Sequence, residues 1–161
     1  NLSKKQYKLL VSLLLENTNW TVLLTGISED RKFIQNLAKN FSEKRVKEVV
    51  DRFSLVDFFS VIRKASLLIA SSTGPIHMAN AAKIPVLGFF CPVKPYTPIR
   101  WGPYDQKEWA ITPKVDWPNV CNSKNCPHGG CLNKLSDLDI TEILCEKRLK
   151  SLHILTNAKK E

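Results

Sequence analysis

Two spacings of apolar residues alternate along the chain. After Ser3, a residue suited to cap a helix, Tyr7, Leu10, Val11, Leu14 and Leu15 recur at helical intervals and predict a helix from Ser3 to Glu16. Trp20 to Thr25 is a short run of apolar and β-branched residues and predicts a strand. Gly26 ends it. Ser28 is placed to cap a second helix reaching about Phe41, with Glu29 and Asp30 in its first turn, where carboxylates face the positive end of the helix dipole.

The order then repeats. Val46 to Val50 reads as a strand interrupted by Lys47 and Glu48, and Ser54 with Asp57 opens a helix whose buried stripe is Leu55, Phe58, Phe59 and Ile62. Ser66 to Ala70 is the next strand. A turn of small residues follows, then an alanine-rich helix to Ala82, which Lys83-Ile84-Pro85 ends, and a further strand from Val86 to Phe90. Strands that alternate with helices and stay apolar along their length are those of a parallel sheet covered by helices on both faces. The predicted class is α/β, Rossmann-like, with residues 1–161 as a single domain.

Beyond this core the pattern weakens. Cys91 to Tyr104 is proline-rich and reads as an irregular loop on the ligand side of the sheet. Glu108 to Thr112 is a short last strand, and residues 114–134 form a cysteine-containing loop. Asp139 is placed to cap a final helix through about Leu155, with Cys145 on its apolar face, and the last six residues read as a frayed tail.

Composition narrows the functional classes. Of the 161 residues, 43% are hydrophobic and 24% charged, the balance of a globular domain large enough to bury a core. No apolar run approaches the roughly 18 residues needed to span a bilayer. The formal charge of +9 fits nucleic acid, an anionic membrane surface or a small anionic substrate. The basic residues are spread along the chain without the interleaved aromatics of a nucleic-acid module, which argues against the first. The chain opens on Asn1 in what reads as the middle of a fold, so an excised domain is expected.

The chemistry concentrates at turns from strand to helix. Ser71, Ser72, Thr73, Gly74 and Pro75 lie where a strand ends and a helix begins, and the first N–H groups of a helix have no partner within it. Pro75 suits that first turn because its missing donor costs nothing there. His77 follows Thr73 by about one helical turn, so both can address one anion. The alternative is a plain capping turn with a structural histidine. Gly26 with Glu29 forms a second such turn, read either as simple capping or as a close approach of backbone to a ligand, with Glu29 accepting from ribose hydroxyls. Lys94, Arg100 and Trp101 sit in the proline-rich loop, where Lys94 or Arg100 could neutralise a pyrophosphate or merely lie in solvent. Cys121, Cys126, His128 and Cys131 carry the donors of a tetrahedral zinc site, but their spacing is not that of a familiar zinc finger, and thiols or a disulfide are the alternatives.

The run from Ser54 through Ser71-Ser72-Thr73-Gly74-Pro75-Ile76-His77-Met78-Ala79, then Pro85-Val86 to Phe90, Pro92, Pro98 and Trp101-Gly102-Pro103, resembles the nucleotide-sugar domain of glycosyltransferase family 9, the lipopolysaccharide heptosyltransferases. The likeness covers residues 2 to about 112, and its specific part is the small-residue turn followed by Gly-Pro-x-His-x-Ala. It implies the C-terminal domain of a two-domain GT-B enzyme. That domain would hold a nucleotide-sugar donor, typically ADP-heptose, through Ser72, Thr73, Gly74, Pro75, His77, Gly26, Glu29 and Arg100. The N-terminal domain would supply the glycolipid acceptor groove and the catalytic carboxylate. Transfer would invert the anomeric centre and need no bound cofactor for catalysis, with zinc at most structural. The setting implied is cytoplasmic, in peripheral contact with the anionic inner face of the inner membrane, with no nucleic-acid partner. Two positions depart from the family pattern. Ser72 stands where the family often has an aspartate, and Cys91 where it often has a glycine. A non-catalytic nucleotide-binding or metal-stabilised interaction domain of the same fold is the competing reading.

Overall fold

In the computed structural model, residues 1–93, 96–114 and 130–152 are described. The described residues divide into two units, one of residues 4–54 and 137–152, the other of residues 1–3, 55–93, 96–114 and 130–136. The strands are parallel throughout and alternate with helices, so the chain is α/β as the apolar pattern predicts.

In the unit that begins at Lys4, helix α1 (Lys4–Asn17) buries Leu10, Val11, Leu13 and Leu14 and leads into strand β1 (Val22–Gly26). Strand β2 (Val46–Val50), at its predicted bounds, pairs with β1 in parallel, Val22 opposite Val46 and Gly26 opposite Val50. Between them the predicted helix is shorter and starts differently. Ser28 does not cap it. Residues Ser28–Asp30 make a 3-10 turn, because the Ser28 hydroxyl is committed to Asp51, and helix α2 runs only Arg31–Ala38. It stops before Phe41 because the Asn40 amide turns back onto the carbonyls of Asn36 (2.8 Å) and Leu37 (3.0 Å), supplying donors that a further helical turn would otherwise provide. Tyr7 and Phe33 meet edge to face with ring centroids 5.6 Å apart, joining α1 to α2.

Arg45 ties the segment before β2 to the one before β1. Its guanidinium donates to the carbonyls of Leu15 (2.8 Å), Thr18 (2.6 Å) and Trp20 (2.9 Å), using the planar fork that lysine lacks. The last helix, α6, begins at Asp137, two residues before the predicted Asp139, since both carboxylates suit a first turn. It widens from α (Asp137–Thr141) to π (Glu142–Leu149) and buries Ile140, Leu144, Cys145 and Leu149. Cys145 thus lies on the apolar face, as predicted. Leu155 and the tail fall outside the described residues.

The other unit carries the second strand set. Helix α3 (Leu55–Ile62) leads to strand β3 (Leu68–Ser71), helix α4 (Gly74–Ala81) and strand β4 (Val86–Phe89). β4 is central, pairing in parallel with β3 and with the two-residue strand β5 (Ala110–Ile111). All four β4 residues are buried, the continuous apolar run that a covered parallel strand requires. Ile62, Ile76, Ala79, Val86 and Phe90 form the core, with Phe58, Leu68, Ala70, Met78, Ile84 and Ala110 packed against it. Leu55 leaves the predicted stripe and is 75% exposed. Side chains lean towards the amino end of their helix, so the first-turn Leu55 projects off the end of α3. Lys83 takes the left-handed conformation (φ 57°) that ends α4.

The proline-rich segment is less irregular than predicted. Thr97 and Pro98 start a four-residue helix, α5 (Pro98–Trp101), with proline at its first position and the Gly102 N–H closing it on the Pro98 carbonyl at 2.7 Å. Gln106 fixes the return of the chain. Its carbonyl oxygen accepts from the Val86 N–H at 2.9 Å and its amide donates to the Ile84 carbonyl at 3.0 Å. No helix among the described residues is long and apolar enough to cross a membrane.

Candidate functional site

The turn between β3 and α4 is built to leave backbone donors unused. Ser72 is still held to the sheet, its N–H donating to the Phe89 carbonyl at 3.0 Å. Thr73 is the N-cap of α4 with extended backbone (φ −145°, ψ 164°), and its hydroxyl makes no capping bond to the helix. Gly74 and Pro75 begin the helix, Pro75 lacking a donor and the Gly74 N–H having no helical acceptor. Ser72, Thr73, Gly74 and His77 are all exposed, while Ile76 beside them is fully buried and anchors the turn to the core. A methyl group added at Gly74 would meet nothing within 4 Å, so packing within the protein does not demand glycine there.

Helix α5 brings the remaining predicted residue to this turn. The Trp101 ring lies 6.2 Å from the His77 ring, tilted by 60°, and the Arg100 guanidinium sits 5.1 Å over the Trp101 ring. A cation, an indole and an imidazole are therefore linked in a row beside the first turn of α4. Trp101 was only a member of the loop in the sequence pattern. Proline at the first position of a short helix was the signal that could have promoted it, since that helix is what carries Trp101 to His77. Lys94 lies outside the described residues.

The Gly26 turn belongs to the other unit. A methyl group at Gly26 would stand 2.6 Å from Ile34 Cδ1 and 2.9 Å from Asp30 Oδ2, so any side chain there must push Ile34 or Asp30 aside. Glu29 is exposed at the middle of the 3-10 turn. The sequence pattern gave no role to Asp51, the residue immediately after β2. It accepts from the Ser28 hydroxyl and from Arg31 Nη2 at 3.1 Å, on either side of Glu29. Its position just past the carboxyl end of a parallel strand was the available signal.

Of the proposed zinc ligands, Cys121, Cys126 and His128 lie outside the described residues. Cys131 is buried at the start of a 3-10 turn (Cys131–Lys134), and among the described residues no three metal-binding side chains are grouped to hold an ion.

Residues 3–131 match the family profile described as glycosyltransferase family 9 (heptosyltransferase). The chain belongs to glycosyltransferase family 9. The family 9 match takes in both strand-to-helix turns, α5 and the cysteine segment to Cys131, and so runs further than the motif-based likeness to about residue 112. A Haemophilus influenzae protein carrying the name "Putative glycosyltransferase" is 36% identical over 111 residues, which cover 69% of this chain and 32% of that protein. The chain thus spans about a third of the length of this curated relative. No solved structure gives a significant match.

Proposed function

We propose that this family 9 chain is the donor-binding part of an inverting glycosyltransferase, seating the diphosphate of a nucleotide sugar, ADP-heptose or a relative of it, on the turn between β3 and α4. The observation that carries the reading is the placement of His77, Trp101 and Arg100 beside the unused donors of Thr73 and Gly74. Backbone N–H groups at a helix start address phosphate oxygens without a cation. His77 donates a further hydrogen bond, and Arg100, held on the Trp101 face, offsets the pyrophosphate charge. Pro75 presets the helical backbone so that the seat is formed before the ligand arrives.

Glu29 takes the ribose hydroxyls of the nucleoside in this proposal, on the strength of the family resemblance, with Gly26 shaping its turn. The sugar passes to a cell-envelope glycolipid held by an N-terminal domain, which also provides the carboxylate base for a single inverting displacement. The net charge of +9 suits work at the anionic cytoplasmic face of a membrane.

Calorimetry of the chain with ADP, UDP and GDP tests the seat. At least one diphosphate should bind, and His77→Ala should weaken it about tenfold, the worth of one hydrogen bond to a charged group. Equal affinity of wild type and His77→Ala would return the histidine to a structural role.

A further inference from the structure

The reading of Glu29 as the ribose acceptor leaves open what holds Glu29 in place, since it is exposed on a three-residue 3-10 turn. Such a turn is held by few bonds of its own. The Asp30 N–H donates to the Ile27 carbonyl at 2.9 Å, and the Ile27 N–H reaches Asp30 Oδ2 at 3.3 Å.

The Arg31 N–H closes the turn on the Ser28 carbonyl. The ties from the turn to β2 lead to Asp51. Its Oδ2 accepts from the Ser28 hydroxyl, one residue before Glu29, and from Arg31 Nη2 at 3.1 Å, two residues after it. Its own N–H donates to the Gly26 carbonyl at 3.3 Å, where the turn leaves β1. Asp51 reaches these partners from a left-handed backbone (φ 51°), which aspartate tolerates better than most residues but which still costs about 1 kcal/mol. The chain adopts this conformation directly after β2, and the carboxylate it presents grips both flanks of Glu29. Gly26 belongs to the same device, because the space a side chain would need there is filled by Ile34 and Asp30.

We propose that Asp51 is a positioning residue for nucleoside recognition: a latch at the end of β2 that fixes the Ser28–Asp30 turn so that Glu29 meets the ribose hydroxyls. This rests on the Glu29 assignment proposed above. The latch acts through order. A free 3-10 turn would present the Glu29 carboxylate over many directions, and ribose binding would then have to bear the entropy of fixing it.

The test separates the latch from the strain and from the Glu29 reading. Asp51→Gly removes the carboxylate while easing the backbone, since glycine accepts a positive φ freely. Asp51→Asn keeps an acceptor for Ser28 and Arg31 and tolerates the same backbone. The readouts are the affinity ratio of ADP to 2′,3′-dideoxy-ADP for the chain and the amide hydrogen exchange of Ile27 and Asp30 without ligand. Asp51→Gly should speed that exchange about tenfold and flatten the ribose ratio to that of Glu29→Gln, while Asp51→Asn recovers most of both. A general loss of folding would instead weaken both nucleotides equally and speed exchange throughout the unit. Unchanged exchange at Ile27 and Asp30 in Asp51→Gly would overturn the latch. Faster exchange with the ribose ratio intact would overturn its role in recognition. A ribose ratio that Glu29→Gln leaves untouched, or the absence of ADP binding, would overturn the Glu29 assignment and the recognition role with it, whatever the exchange shows of the turn.

Discussion

Gly26 and Gly74 occupy corresponding stations, each in a turn that carries the chain from a parallel strand to a helix, and they are glycine for opposite reasons. At Gly26 the protein fills the space: Ile34 and Asp30 stand where a side chain would go. At Gly74 the protein leaves it open, with no atom within 4 Å of where a methyl group would stand. Neither has the positive φ that would call for glycine on backbone grounds. The first glycine is explained by the fold alone. The second is not, and it lies beside the exposed row of His77, Trp101 and Arg100, where the proposed diphosphate would sit. Two turns that look alike in sequence thus divide into one that closes on itself and one that stays open.

The two arginines show the same division on a larger scale. The Arg45 guanidinium is consumed by three backbone carbonyls, whereas Arg100 is exposed and rests on an indole face. Arg45→Ala leaves those carbonyls to water or to nothing, and should cost about 3 kcal/mol of stability in chemical denaturation. Arg100→Ala should cost under about 0.5 kcal/mol, as exposed substitutions do, yet weaken nucleoside diphosphate binding about tenfold. If Arg100→Ala unfolded the chain as Arg45→Ala does, or bound diphosphate as tightly as wild type, the contrast would collapse.

The glycines give the next test. Gly26→Ala forces Ile34 or Asp30 aside and should lower stability by about 1–3 kcal/mol. Gly74→Ala should leave the melting temperature within error or raise it slightly, because alanine is the better helix former. Its effect should appear in titration with ADP, where the methyl group obstructs the approach of a phosphate. Undiminished ADP affinity in Gly74→Ala would mean that the open turn is not a seat.

Gln106 sharpens the picture with a smaller effect. It replaces a missing strand neighbour by bonding both the Val86 N–H and the Ile84 carbonyl, and so fixes the loop that carries α5. Gln106→Ala should cost about 1 kcal/mol, and Gln106→Glu slightly more, because a carboxylate cannot donate to the Ile84 carbonyl. A measurable loss of diphosphate affinity in Gln106→Ala, with folding intact, would show that the seat depends on how firmly α5 is held.

Much of the fold was legible because parallel strands advertise themselves as short apolar runs between helical spacings. Val46–Val50 stands at its predicted bounds despite Lys47 and Glu48, since both charges point to solvent while Val46 and Val50 are buried. The strand-to-helix turn at Ser72 to His77 was legible for a related reason, as hydroxyls, glycine and proline in that order mark a helix start. The errors came where a side chain chose a partner distant in sequence. Ser28 was expected to cap the nearest helix and instead bonds Asp51, twenty-three positions on. Leu55 was expected in the core, but its place at the first turn of α3 leaves it in solvent. Helix α5 was hidden by its length, since four residues show no period, and only Pro98 signalled it.

The smallest expected effect concerns the buried Cys145 thiol, and it separates Cys145 from Cys91 as the two glycines differ. Cys91 is half-buried, two residues past β4, while Cys145 is buried on the π-helical part of α6. Burial pushes the Cys145 thiol above its ordinary value of 9.0, and the carboxylates of Glu146 and Glu16 push the same way. The Asn17 amide donates to Cys145 Sγ at 3.6 Å. A folded pKa above the unfolded one means that the native state keeps its proton where the unfolded state has lost it. The resulting stability is fully present below pH 9.0 and is lost as pH rises through the folded value. Denaturation midpoints should therefore fall with pH above about 9 in wild type, and less steeply in Cys145→Ala after allowance for the lost packing. Thiol labelling followed by peptide mapping gives the sharper reading: at pH 8, Cys91 should be alkylated in the native protein and Cys145 only on unfolding, because the reactive thiolate is suppressed and shielded there. Native labelling of Cys145 as fast as Cys91 would show that this helix opens readily and that its burial contributes little to holding the unit together.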